Sequence, residues 1–268
     1  MRRLLAPTLA FLLVLIFWEG AVHLFELQPW LLPAPTAVLD TMVAQAPRLA
    51  AACWRSACGA LGGLLASVML GSATALAFAA SGVLRRALYP WAVVLQTVPI
   101  VAIAPLIVIW AGTGLRSVIL VATIVSLFPI VTAGTNGLLR VRREELELFE
   151  VHGARPLDVL LRLRLPHALP DLLVGTRVAA GLAVVGTVVG ELMVGYGAGT
   201  ASLGTIVLTS SSQLDTALLF AAIILATVLG VVIVAIVGNL ANRVLLARGE
   251  AAAVLDPLRD PRTSGGTP

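Results

Sequence analysis

The sequence predicts an all-α fold: a polytopic membrane bundle of about six transmembrane helices, with one polar loop between the fourth and fifth. Three observations carry that expectation. Apolar residues make up 59% of the 268 residues, and the mean hydropathy is +1.00. Charged residues make up only 12%, about half the roughly 25% of a soluble domain. Several apolar runs also reach the roughly 20 residues that a helix needs to cross a bilayer.

The first span is expected at about 5–25, after Met1-Arg-Arg. A charged start before an apolar core also fits a signal peptide. The apolar run continues to Phe25 without a small-x-small cleavage site, which favours a retained helix. Glu19 and His23 are four apart and share a face, as interfacial polar residues or as a proton relay. Pro29, Pro33, Pro35 and Pro47 then break up residues 26–56. There a turn-rich LPAPT (32–36) leads into an amphipathic helix expected to lie on the membrane surface. The second span, about 57–80, repeats a small residue at every fourth position: Gly59, Gly63, Ser67, Gly71, Ala75 and Ala79. Without a hydrophobic force between helices in lipid, small faces are what allow close packing, so this helix should pack along most of its length.

The third span, about 88–110, contains Gln96, Pro99 and Pro105. Two prolines in one helix are expected to bend it, making Gln96 and Pro99 candidate pathway residues, with bundle packing the other reading. After the turn Ala111-Gly-Thr-Gly114, the fourth span (about 117–139) concentrates its polar residues toward one end, with Thr132 and Asn136 four apart as further pathway candidates. The fifth span, about 170–194, carries Gly186 and Gly190 in a GxxxG packing pattern and a lone acid, Glu191. An acid in an apolar run is costly, so Glu191 is read either as structural or interfacial, or as lining a pathway. Residues 195–215 suit an outer loop with a short helix. The sixth span covers about 217–241. Residues 1–248 thus form one transmembrane domain, and the Pro- and Gly-bearing tail 249–268 is expected to be disordered.

Charge sets orientation and excludes chemistry. With the N-terminus inside, the inner segments hold fourteen arginines and the outer segments three, a strong positive-inside asymmetry. Both termini and the polar segment 140–169 are therefore expected in the cytoplasm. All 18 basic residues are Arg, so the chain has no Walker A lysine and no Schiff-base lysine. Any ATP it uses must be bound elsewhere. A pI near 10.0 would suit nucleic acid, but topology accounts for the loop-confined charge, and no nucleic-acid partner is expected. Cys53 and Cys58 do not match a zinc spacing, and the three histidines lie far apart. No metal site is expected.

The segment 140–169 carries six Arg against five acids. It is expected to form two short helices, one from Glu144 to His152 stopping at Gly153, the other starting near Pro156, a favourable first-turn position, and closed by Leu165–Pro166. Such a knob suits insertion into a partner's groove. Glu147, then Gly153, then Leu163 after nine residues, then Leu165–Pro166 reproduce the spacing EAA-x3-G-x9-I-x-LP. On that motif the chain resembles bacterial ABC importer permeases of the binding-protein-dependent type, over nearly its whole length from LPAPT to the sixth span. It looks most like the nitrate, sulfonate and taurine group, which includes importers of pyrimidine precursors and riboflavin. The run LELFEVHGAR (146–155) looks closer to the heterocycle importers.

The resemblance implies a bacterial inner-membrane permease that catalyses no bond chemistry. Two cytoplasmic ABC ATPases would bind the coupling loops and hold the ATP and Mg, and no cofactor would belong to this chain. A second permease copy would complete the pathway, and an extracytoplasmic binding protein would deliver the solute. The implied coupling residues are Glu147, Leu148, Phe149, Gly153, Ala154, Leu163, Leu165 and Pro166. Leu148-Phe149 replaces the family's Ala-Ala and Leu163 its Ile, which puts bulk on the coupling helix. The rival class is an ion-coupled secondary transporter, for which only Glu19 and Glu191 qualify as buried acids and no convincing internal repeat is seen. A membrane-embedded enzyme lacks any supporting His/Asp/Glu cluster.

Overall fold

The structure is a computed structural model and describes residues 2–194 and 201–247. The expected tail at 249–268 and the first part of the 195–215 loop lie outside the described residues. All regular elements among the described residues are helical. They are α1 (Arg2–Leu24), α2 (Pro35–Ala44), α3 (Ala46–Ala80), α4 (Gly82–Thr97), α5 (Ile100–Ala111), α6 (Leu115–Leu139), α7 (Arg143–Val151), α8 (Pro156–Asp158), α9 (Leu165–Val194), α10 (Leu203–Gln213) and α11 (Thr216–Ala247). Among the described residues, four helical stretches are long and apolar enough to cross a membrane: Ala46–Ala80, Leu115–Leu139, Pro156–Val194 and Thr216–Ala247. Thr8–Leu24 and Ile100–Ala111 are shorter apolar helices. The chain is thus a polytopic helical membrane protein.

Three sequence expectations need correction, and proline chemistry explains each. The third span is two helices, α4 and α5, rather than one bent rod. Pro99 lacks an N–H and disfavours the helical conformation at Val98. The Thr97 hydroxyl donates to the Val94 carbonyl at 2.7 Å, satisfying one acceptor of the last turn. The helix that carries the second span begins at Ala46, so residues 46–56, expected as part of a separate surface segment, belong to a continuous 35-residue helix. At 1.5 Å per residue that is about 52 Å, well beyond the roughly 30 Å of bilayer hydrocarbon. Only Gln45 separates it from α2, because Pro47 cannot continue a helix through that turn. Finally, Leu165–Pro166 does not close the second short helix. Residues Val159–Arg164 form a π-helical turn that runs straight into α9.

The chain divides into two packing units, and each long helix α3, α6, α9 and α11 contributes residues to both. Unit 1 comprises Met1–Gly63, Ile100–Ala122 and Val184–Gly230. Its main core gathers Val38, Leu49, Ala52, Leu203, Ile206, Leu218 and Ala221 from α2, α3, α10 and α11. A second cluster sets Ala104 and Ile107 of α5 against Val121, with Val189 and Met193 beside them. At the start of α2, Ala34 offers no capping side chain. Glu19 of α1 supplies it instead, accepting from the Thr36 N–H at 3.2 Å and the Thr36 hydroxyl at 2.9 Å, while His23 lies 3.1 Å away. A carboxylate at a helix N-terminus is electrostatically favoured, so the pair identified on α1 organises the α1–α2 corner.

Unit 2 comprises Leu64–Pro99, Thr123–Ala183 and Val231–Pro268. Ala75, Ala79, Leu138 and Ala168 form its core, with Leu160, Leu165 and Leu172 around them. The small-residue ridge of α3 does what its spacing suggests. In unit 1 a Cβ on Gly59 would sit 3.0 Å from Val118; in unit 2 one on Gly71 would sit 2.9 Å from Ile130. The fit of α9 is tighter: a Cβ on Gly175 would lie 2.7 Å from the Ala133 Cβ and 2.9 Å from the Pro129 carbonyl oxygen. Backbone cannot swing aside as a side-chain tip can. We expect Gly175→Ala to destabilise the protein by about 1–3 kcal/mol, lowering its melting temperature in detergent. Gly20→Ala, with nothing within 4 Å, is expected to leave that temperature unchanged or slightly raised.

Candidate functional site

The polar segment folds around one backbone requirement. Helix α7 carries Glu144 and Glu145 in its first turn, where the helix dipole favours acids. It ends in a Schellman motif, the Gly153 N–H donating to the Glu150 carbonyl at 2.9 Å and the Ala154 N–H to the Phe149 carbonyl at 3.0 Å. That motif needs a left-handed residue, and Gly153 has φ +66°. Nothing lies within 4 Å of its missing Cβ, so conformation rather than space selects glycine there. Arg155 then takes the N-cap position of α8 in extended backbone, without a side-chain cap, and Pro156 follows at its first position.

The π turn explains how Pro166 is accommodated. A proline in a helix has no N–H for the carbonyl four residues back, and its ring crowds that carbonyl. Here the Leu165 N–H reaches five residues back to Leu160. The wider turn absorbs the mismatch without ending the helix. Leu163 faces inward, buried at the base of the segment.

Two polar ties hold the segment to the rest of unit 2, and a third contact lies within it. The Arg164 guanidinium donates to the Ala79 carbonyl at 2.9 Å, at the C-terminal end of α3, where a cation suits both the free carbonyls and the dipole. His167 Nε2 lies 3.3 Å from the Glu145 carboxylate, linking α9 to α7. Arg140 and Asp171 pair at 3.3 Å. The outward face is left uncommitted. Leu148 is 57% and Val151 84% exposed, while Glu147 pairs with Arg143 at 3.1 Å and with no other charged group among the described residues. That pair is exposed on both sides and contributes little to stability. Phe149 is half-buried. Exposed apolar residues on a spanning helix meet lipid, whereas Leu148 and Val151 stand on a short helix in the most charged part of the chain.

Glu191 belongs to a separate cluster in unit 1. It is 4% exposed, and its carboxylate accepts from the Ser56 hydroxyl at 2.8 and 2.9 Å and from the Gly204 N–H at 2.8 Å. Ser56 Oγ in turn accepts from the Leu203 N–H at 3.0 Å, and the Ser202 hydroxyl accepts from Thr205. The first three orphan N–H groups of α10 therefore end on Ser56, Glu191 and Ser202, which together clasp α10 to α3 and α9. A Cβ on Gly204 would sit 2.6 Å from the Glu191 Cβ and 2.8 Å from the Val188 carbonyl oxygen, so the clasp closes only over glycine.

The other pathway candidates all belong to unit 2. Gln96 is exposed in the last turn of α4, and Pro99 sits at the α4–α5 break. Thr132 is half-buried, with its hydroxyl unpartnered among the described residues. Asn136 lines a cavity with Arg85 and Arg86. Of the packing candidates, Gly190 abuts Val118 and Val121 of α6, and Gly186 and Ser67 are buried. Sequence reasoning missed Ser56, Gly204 and Arg164. Ser202, with Thr205 three residues on, carried an N-cap signal, but no local pattern points from Glu191 to Ser56.

Residues 67–246 match the family model described as Binding-protein-dependent transport system inner membrane component. The chain belongs to that family. The formylaminopyrimidine transport permease protein ThiX of Halalkalibacterium halodurans is 32% identical, over 90% of this chain and 95% of that protein. The riboflavin transport system permease protein RibX of Chloroflexus aurantiacus is 30% identical, over 90% and 88%. The taurine transport system permease protein TauC of Escherichia coli is 30% identical, over 81% and 79%. Among solved structures, a chain of the inward-facing MetNI methionine ABC transporter has a TM-score of 0.56 at 19% identity, covering 72% of this chain and 98% of that one. That likeness concerns the fold. The chain is thus a multi-pass inner-membrane permease of the ABC importer family, whose relatives are transport components rather than catalytic subunits.

The clasp generates its own test. Glu191→Ala strands the Gly204 N–H and the Ser56 hydroxyl without a carboxylate partner, an expected loss of about 1–3 kcal/mol. Hydrogen exchange should quicken at the α10 amides of residues 203–206 before the rest of unit 1. Uniform exchange across unit 1 would contradict the clasp.

Proposed function

We propose that this chain is the translocating subunit of an ATP-driven importer and that α7, Gly153 and α8 form the element by which a separate ATPase moves it. The single observation that carries this reading is the outward face of α7. Leu148 and Val151 stand exposed beside Glu147, while Glu145 of the same helix faces His167 of α9 and Arg164 ties the segment to the end of α3. Apolar side chains of α7 are thus free to dock, and the segment that carries them is joined to the spanning helices.

On this reading the ATPase dimer holds ATP and Mg, and closing it displaces α7. Because α8, the π turn and α9 are continuous, the displacement passes into a spanning helix and drives alternating access. Residues 1–248 act as one permease domain with the termini and 140–169 in the cytoplasm, in keeping with the arginine asymmetry. Two copies of the chain enclose the pathway, and an extracytoplasmic binding protein delivers the solute. We favour a pyrimidine- or flavin-type heterocycle, because relatives whose names carry such solutes match about nine-tenths of the chain. A sulfonate anion of the taurine kind is the second choice, from a relative matching over a shorter stretch. Ion-coupled transport loses its two candidate acids, since Glu19 and Glu191 both cap helices.

Reconstituting the chain in liposomes with its ATPase and binding protein tests the reading: binding protein with solute should stimulate ATP hydrolysis and uptake. Uptake by this chain alone, driven by an ion gradient, would contradict it. Gly153→Val forces a β-branched residue into a left-handed conformation, at a cost of about 1–2 kcal/mol, confined to the turn. Glu147→Arg removes an exposed acid with little structural cost. Both are expected to abolish transport while membrane insertion stays intact. Wild-type uptake in both variants would refute the docking role.

A further inference from the structure

A cavity of about 430 Å³ in unit 2 is lined by Arg85, Arg86, Tyr89, Thr135, Asn136 and Leu139, with Pro90 beside them. Arg85 and Arg86 lie in the first turns of α4. Neither has a carboxylate partner among the described residues, where the arginines in ion pairs are Arg140, Arg143 and Arg162. The lining contains no acid. Asp171, which lies against the Gly137 turn next to Asn136, already faces Arg140 at 3.3 Å. The site therefore concentrates positive charge with no acid in its lining to balance it.

Thr135 supplies a second, independent observation. It is 2% exposed, and its hydroxyl has no partner among the described residues. Thr41, Thr74, Thr176, Thr209 and Thr227 all donate to the carbonyl four residues earlier in their helices. Thr132, Thr135 and Thr187 do not, and of these three Thr135 lines the cavity, a buried donor without an acceptor among the described residues. Asn136 and Tyr89 add polar groups, and the Tyr89 ring is held edge-on by Phe78 at 6.3 Å.

We propose that this cavity binds a phosphate group. Guanidinium forks match the oxygens of a phosphate bidentately, and the Thr135 hydroxyl would complete the set as a neutral donor. The phosphate can come from a phospholipid headgroup or from solution. Val83, Leu88 and Trp91 stand exposed on the same helix, so an acyl chain would find apolar surface next to the site. A pair of arginines retained only for membrane topology would show the charge dependence without any role for Thr135. The inference does not rest on the identity of the transported solute.

The experiment uses the purified full-length protein. Native mass spectrometry measures phospholipid retained from phosphatidylglycerol–phosphatidylcholine vesicles, and calorimetry in lipid-free detergent measures inorganic phosphate. Arg85→Gln and Arg86→Gln are each expected to weaken binding about tenfold or more, and Thr135→Val roughly threefold to tenfold. Thr135→Ser should restore it, and Arg116→Gln, a charge lost elsewhere, should leave it unchanged. Phosphatidylglycerol retention that phosphate fails to displace identifies the lipid source, whereas calorimetric binding of phosphate alone identifies the soluble one. The proposal is overturned if Arg116→Gln weakens binding as much as Arg85→Gln and Arg86→Gln, or if Thr135→Val binds like the wild type with its circular dichroism unchanged. It is equally overturned if the wild type binds neither probe.

Discussion

Helices in lipid have no hydrophobic reason to associate, because the solvent is as apolar as their side chains. What remains is dispersion between closely fitted surfaces and a few buried polar bonds, and both demand near approach of backbones. The chain meets this with glycine at the points of nearest contact. Gly59, Gly71 and Gly175 each sit where a single methyl group would press on a neighbouring helix at 3.0 Å or less. The contacts of α3 with α6, and of α6 with α9, follow from that constraint.

Upon that packing the structure builds two polar devices that use helix ends in opposite senses. In unit 1 a carboxylate meets an N-terminus: Glu191 and Ser56 collect the first N–H groups of α10. In unit 2 a guanidinium meets a C-terminus, with Arg164 on Ala79. Each places the ionic partner where the helix dipole favours it. Each also joins segments far apart in sequence, 135 residues between Ser56 and Glu191 and 85 between Ala79 and Arg164. These few bonds fix where short helices sit, which van der Waals packing alone would leave free to slide.

Much of this was legible in the sequence, and the physical reasons separate what was from what was not. The small-residue ridge of α3, the Gly153 turn and the Pro156 start are local patterns, read from spacing or from one residue's backbone preference, and the structure carries them. The proline effects were legible in kind but not in outcome. Pro99 splits a helix, whereas Pro105 lies inside α5 and Pro166 is absorbed by a π turn, and the difference depends on neighbouring hydrogen bonds that no spacing encodes. The clasp was invisible because an acid in an apolar run signals only that some partner exists. Naming Ser56 and Gly204 required three dimensions.

The central claim is that the outward face of α7 docks a separate ATPase while the segment that carries it is joined to the spanning helices. The most direct measurement is cysteine cross-linking in a Cys53→Ser, Cys58→Ser background, with single cysteines placed at Leu148, Val151 and Leu163 and the ATPase present. The account gives cross-links from positions 148 and 151, altered in yield by nucleotide, and none from the buried position 163. Cross-links from 163 but from neither exposed position would contradict it.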